Sequence, residues 1–197
     1  KVAAKLKVYR MSVLVMTAFF VLVALVSTLM IRSNIRHITE VWSPSLEYLQ
    51  ELETMTAKYR IKQYQHLVES DAAAMATCEK ENDNIESQIK DATAKLGEII
   101  NSNKKAQQGK ADYEKATSAW EEYLSTSDEV YKLSRDNKQA EAAKIMIGSA
   151  YESYMSFVKQ LNTLHDDFQV ELDNAKTLAN ICTIIIFIVI IVTGIAI

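Results

Sequence analysis

The densest group of chemistry-bearing side chains lies between residues 58 and 64. There Lys58, Arg60 and Lys62 alternate with Tyr59, Ile61, Gln63 and Tyr64. A guanidinium can hold a carboxylate through two parallel hydrogen bonds, and tyrosines supply rigid apolar walls with a hydrogen-bonding tip. That set suits a small organic anion such as a carboxylate. The three cations cannot act together on a helix, because Lys58 and Lys62 share a face while Arg60 lies about 200° from each. Arg60 is the stronger candidate, since it adjoins Tyr59 and Gln63 on the buried seam expected for this segment. The plainer alternative is that the cations form a solvated face and the tyrosines are core.

Other chemistries find little support. His37, His66 and His165 sit far apart, and none follows a Glu by three residues as in the Glu-x-x-His pairs of di-metal bundles. Glu69 with Asp71, and Glu79 with Glu81, put their carboxylates on differing faces, so no metal site and no cofactor are expected. Cys78 sits at a seam position and reads as a small core residue, not a redox sensor. Cys182 falls in an apolar run, and the two cysteines imply no disulfide framework. There is no nucleophile elbow, P-loop or glycine-rich fingerprint, so no enzyme is expected.

The elements that must position these residues are helices. One proline and four glycines in 197 residues leave few turns, and no stretch alternates as a half-buried strand does. Apolar residues recur instead at spacings of three and four. One stripe runs from Met75 through Cys78, Asn82, Ile85, Ile89, Ala92 and Leu96 to Ile99. Another joins Tyr113, Thr117, Trp120, Leu124, Ser127 and Tyr131, and a third runs from Ala140 to Ala175. Trp42, Leu49, Leu52, Thr56, Tyr59, Gln63 and His66 give a less regular fourth. Breaks are expected at residues 69–71, where an N-cap precedes an alanine-rich start, at 101–109 and at 134–138. Pro44 predicts a modest kink in the first long helix.

Four helices of about 30–40 residues, each ~45–60 Å long, follow from these breaks. The expected fold is all-α, an antiparallel up-down-up-down four-helix bundle. Counting residues along antiparallel legs sets Arg60 level with Glu81 and Asn82, Tyr123 and Leu124, and Ala150 and Tyr151, ~42 Å above the first apolar run. Seam positions near this level are polar where the rest are Leu, Ile, Phe and Ala. A buried polar group without a partner costs about 1–3 kcal/mol, so such a layer must be a satisfied network, a hydrated cavity, a ligand site or part of an interface. The candidate ligand-binding set is Tyr59, Arg60, Gln63, Asn82, Tyr123, Ser127, Tyr151 and Tyr154.

An apolar run stands at each end of the chain. The first, Met11 to Ile31, has twenty-one residues without a charge, and the second runs from Leu178 to Ile197. About 20 apolar residues cross a hydrocarbon core of ~30 Å. The first run exits into Arg32, Ser33, Asn34, Ile35 and Arg36 with no small-residue cleavage pattern, so it reads as an uncleaved anchor. Lys1, Lys5, Lys7 and Arg10 before it outnumber Arg32 and Arg36 after it, which predicts a cytoplasmic N-terminus. The expected organisation is a cytoplasmic tail (1–10), a membrane span (11–31), an extracytoplasmic sensor (32–177) and a second span (178–197). The bundle is expected to run continuously into both spans, with output from a region beyond residue 197. Residues 32–177 hold 18 Lys and Arg against 25 Asp and Glu, a net charge of −7 that offers nucleic acid no broad basic patch.

A cationic N-terminus, an anchor, four outer helices and a second anchor resemble the bacterial chemoreceptors. The closest likeness is to methyl-accepting chemotaxis proteins with a four-helix-bundle sensor. The stretches 42–49 (WSPSLEYL) and 58–64 (KYRIKQY) are similar in style to such sensors. The resemblance implies a two-pass protein of the bacterial inner membrane with a periplasmic sensor. It also implies a homodimer, a small-molecule ligand in the membrane-distal half, and a piston-like displacement of the last helix towards cytoplasmic signalling partners. Sensors of this type also serve histidine kinases and diguanylate cyclases. A protein-recognising or purely structural dimerisation module, with the polar layer setting register, is a further alternative.

Overall fold

The computed structural model describes residues 2–195, and every regular element among them is helical. Helix α1 (Val2–His37) leads through one π-helical turn (Ile38–Trp42) into α2 (Ser43–Val68). Helix α3 (Ala72–Ser102) follows, then a 3-10 turn (Ala106–Gly109), α4 (Lys110–Arg135), α5 (Gln139–Ile147) and α6 (Ser149–Ile195). The chain divides into two compact units, one of Val41–Val170 and one of Lys1–Glu40 with Glu171–Ile197.

The first unit is the four-helix bundle. Its legs are α2, α3, α4, and α5 followed by the first part of α6. In α2 the buried residues Leu49, Leu52, Thr56, Tyr59, Gln63 and His66 alternate in steps of three and four. In α3, Met75, Asn82, Ile89 and Leu96 are buried seven residues apart. Such repeats keep one stripe facing its neighbours at a small crossing angle. Further along α3 the buried residue is Ile100 and not the expected Ile99, because a straight helix drifts from a seven-residue repeat. Trp42 meets Phe168 at 5.5 Å between ring centroids, and Trp120 meets Phe157 at 5.3 Å. Burying each such ring stabilises the fold by about 1.5–3 kcal/mol.

The turns form where the sequence calls for them. The Asp71 side chain caps α3 by accepting from the Ala73 amide at 3.2 Å. Between α4 and α5, Asn137 adopts a left-handed φ of 58°, a conformation Asn tolerates better than most residues. At Gly109 a Cβ would lie 2.8 Å from Leu164 Cδ2 and 2.9 Å from the Phe168 ring. The glycine lets the start of α4 approach α6 closely.

Three expectations need correction. Pro44 does not merely kink a long helix. It occupies the first turn of α2, and the turn before it is π-helical, a widening that fits the backbone donor proline lacks. The fourth leg is not one helix, since it breaks at Gly148, whose amide closes α5 on the carbonyls of Lys144 (3.0 Å) and Ile145 (3.2 Å). Cys78 is half-buried and not a core residue.

In the second unit the apolar stretches of α1 and α6 are long and apolar enough to cross a membrane. Large side chains such as Leu22, Leu25, Ile184 and Ile188 are exposed, whereas the smaller Ser27, Asn34 and Cys182 are buried. Small and polar residues at a helix contact with branched aliphatics outside are the pattern of helices that pack within lipid.

Candidate functional site

Arg60 is buried, 9% exposed, on the seam of α2. Its Nη2 donates to the Met146 carbonyl at 2.9 Å and to the Tyr64 hydroxyl at 3.0 Å. The break at Gly148 explains the first bond, because the last carbonyls of a helix lack intrahelical partners. Four tyrosine rings surround the guanidinium. Its central carbon lies 5.0 Å from the ring centroid of Tyr154, 5.2 Å from Tyr64, 5.4 Å from Tyr151 and 5.9 Å from Tyr123. The other terminal nitrogen, Nη1, is buried and has no hydrogen-bond partner. Among the described residues no Asp or Glu forms an ion pair with Arg60.

This is an unusual way to bury a cation. A buried charge is normally paired, yet here only ring faces and two acceptors compensate. Each cation–π contact contributes about 0.5–2 kcal/mol, less than the several kcal/mol that desolvating an ion costs. The cage can therefore gain from an anion that reaches Nη1. Tyr151 and Tyr64, 46% and 38% exposed, form its outer wall.

Two hydrogen-bonded networks support the cage. In the first, the Tyr123 hydroxyl donates to Gln63 Oε1, Gln63 Nε2 donates to Ser127 Oγ at 2.7 Å, and Ser127 Oγ donates to the Tyr123 carbonyl at 3.2 Å. Burial raises the Tyr123 hydroxyl well above the usual phenol range, with nearby Arg60 opposing the shift. In the second, Asn82 Nδ2 donates to the Tyr59 carbonyl at 3.1 Å and to the Tyr131 hydroxyl. Burial pushes Tyr131 up to about 12 and raises Tyr59 further.

Beyond these, His66 is fully buried between Ser134 Oγ (3.0 Å) and Glu79 Oε1 (2.8 Å), and Arg135 donates to the same Glu79 oxygen at 2.7 Å. This cluster joins the ends of α2, α3 and α4.

The model of the four-helix-bundle sensory module for signal transduction, a module of methyl-accepting chemotaxis proteins, matches residues 1–180. The chain belongs to that family. No curated protein matches it significantly.

Within this sensory module the eight candidate residues separate into groups. Arg60, Tyr123, Tyr151 and Tyr154 come together around the guanidinium. Gln63 and Ser127 make no hydrogen bond to Arg60 and are linked to the cage through the Tyr123 hydroxyl. Tyr59 and Asn82 belong to the Tyr131 network and make no hydrogen bond to Arg60. Lys62 faces away and pairs with Glu81 at 2.5 Å, while Lys58 is exposed. Tyr64 and the Met146 carbonyl were not in the candidate set. Tyr64 follows Arg60 by four residues, a spacing that brings side chains together on a helix. The Met146 carbonyl had no such signal, because its availability depends on the helix break.

Proposed function

We infer that this sensory module binds a small organic anion at Arg60, and the unpartnered Nη1 is the observation that carries this reading. A single uncompensated guanidinium is neutralised by one negative charge, so a monocarboxylate fits better than a dianion. The four rings favour a flat or apolar body, and the hydroxyls of Tyr64, Tyr151 and Tyr154 can complete its hydrogen bonds. Access requires the exposed rings of Tyr64 and Tyr151 to swing outward.

In this reading residues 11–31 and 178–197 cross the bacterial inner membrane, residues 1–10 are cytoplasmic and 32–177 form the periplasmic sensor. The module acts as a homodimer and signals to cytoplasmic partners. The signal is a small displacement of α6, which carries Tyr151 and Tyr154 near its start and the second apolar stretch near its end. A ligand can bias that displacement only through different affinities for two arrangements of the bundle.

The test is calorimetry of the full chain in lipid nanodiscs against a panel of small mono- and dicarboxylates. A monocarboxylate should bind, and Arg60→Gln should weaken it at least about tenfold, as loss of a charge-assisted hydrogen bond does. Tight binding untouched by Arg60→Gln would overturn the assignment.

A further inference from the structure

Between α3 and α4 of the bundle unit lies a half-open cavity of about 510 Å³, lined mostly by apolar side chains. Its inner wall is Leu52, Ile89, Trp120, Phe157 and Leu161, each less than a tenth exposed. Protein interiors are close-packed, and voids much larger than a water are few. Small-molecule sites, by contrast, occupy clefts of about 300–1,000 Å³ with apolar walls and a few placed polar groups.

The two helices are tied to each other on either side of the cavity. Towards one end the Tyr113 ring lies over Gly97, where a Cβ would come within 2.5 Å of its hydroxyl oxygen. That hydroxyl donates to the Thr93 carbonyl at 3.0 Å. Towards the other end, the Asn82 side chain bonds the Tyr131 hydroxyl. Both ties cross from α3 to α4. Between them the facing positions include Ala94, Ala116 and Thr117, too small to fill the gap.

The polar groups of the lining are biased in charge. Glu86 and Glu121 stand against Lys90. Burial, reinforced by Asp83 and Asp128 and only opposed by Lys90, raises the Glu86 carboxyl above the usual carboxylate range. Lys90 is exposed on the same helix, and among the described residues no ion pair holds Glu86. An ammonium here would be offered the half-buried Glu86 and the exposed Glu121, and would relieve the repulsion that Glu86 feels from Asp83 and Asp128.

We propose that the cavity between α3 and α4 is a second ligand site, distinct from Arg60, for a small aromatic or branched aliphatic monoamine. The apolar body lies against Trp120, and the ammonium sits between Glu86 and Glu121. The two sites thus take ligands of opposite charge. They are separated by a short run of rings, since Trp120 stacks on Tyr123 at 5.1 Å and Tyr123 faces Arg60.

The experiment uses the full chain in lipid nanodiscs and two matched probes, 2-phenylethylamine and 2-phenylethanol. Calorimetry should show the amine binding at least about tenfold more tightly than the alcohol, the ratio of one charge-assisted contact. Glu86→Gln should erase that ratio, and Ala116→Phe should remove amine binding by filling the cavity. Arg60→Gln should leave amine binding unchanged, so failure at Arg60 and failure here are separable. Should Ala116→Phe misfold, Glu86→Gln at its half-buried position still decides the matter. Equal binding of amine and alcohol, no amine binding, or an amine affinity indifferent to Glu86→Gln would each overturn the proposal.

Discussion

Replacing Arg60 by methionine tests whether the guanidinium is held for ligand or for the fold. Methionine keeps a flexible side chain in the same space and removes the charge. The losses are the hydrogen bonds to the Met146 carbonyl and the Tyr64 hydroxyl and four cation–π contacts. A bond from a charged donor contributes about 1.5–3 kcal/mol, and the Met146 carbonyl left alone costs about 1–3 kcal/mol. The gain is removal of a desolvated, unneutralised cation, several kcal/mol. These opposing terms nearly cancel, so the expected change in stability is less than about 2 kcal/mol. Thermal unfolding followed by far-UV circular dichroism should therefore show a midpoint within about 8 °C of the parent. Binding of the monocarboxylate should be lost in the same variant. A loss of 4 kcal/mol or more, about that of breaking a satisfied buried ion pair, would refute the reasoning, because it would mean the guanidinium is already fully compensated.

Three other outcomes follow from geometry. Gly109→Ala forces a methyl group against Leu164 and Phe168 and should destabilise the bundle by about 1–3 kcal/mol, read from the same unfolding curve. Glu79→Gln takes the carboxylate from buried His66 and from Arg135 and should cost about 1–3 kcal/mol; an unchanged midpoint would show that this cluster contributes nothing net. Tyr131, held at about 12 against an ordinary phenol near 10, gives alkaline sensitivity: the unfolded phenol ionises first, so stability is intact below about pH 10 and falls as pH rises towards 12. Buried Tyr59 and Tyr123 add to the same fall, so Tyr131→Phe should make it shallower without abolishing it in a pH titration of unfolding, and an unchanged slope would contradict the assignment.

Much of this was legible in the sequence. The seam of α2 from Leu49 to His66 follows from three- and four-residue spacing, and counting along antiparallel legs brought Arg60 level with Tyr123 and Tyr151. The count succeeds because a helix has a fixed rise and short turns leave little freedom in level. Rotation about each helix axis is another matter. Small differences in twist decide that Tyr59 and Asn82 serve Tyr131 while Tyr64 joins Arg60, and that Glu79 meets both His66 and Arg135. The break at Gly148 was not legible either, since a lone glycine in a helix costs only about 1 kcal/mol and is often tolerated there. The α3–α4 cavity has no signal in the sequence because it is made by residues too small for their place. Ala94 and Ala116 look like ordinary helix residues, and only the cross-helix bonds of Tyr113 and Asn82 on either side reveal the gap between them.

The interruption at Gly148 makes the Met146 carbonyl a shared acceptor. In an unbroken helix it would receive the amide of Ala150, four residues on; here it receives Arg60. An anion that drew the guanidinium away would leave that carbonyl vacant, and joining α5 to α6 through Gly148 would refill it. The Arg60 guanidinium and the Ala150 amide thus compete for one oxygen atom, and ligand capture favours splicing of the fourth leg, so helix content at residues 145–152 should rise when the cage is occupied.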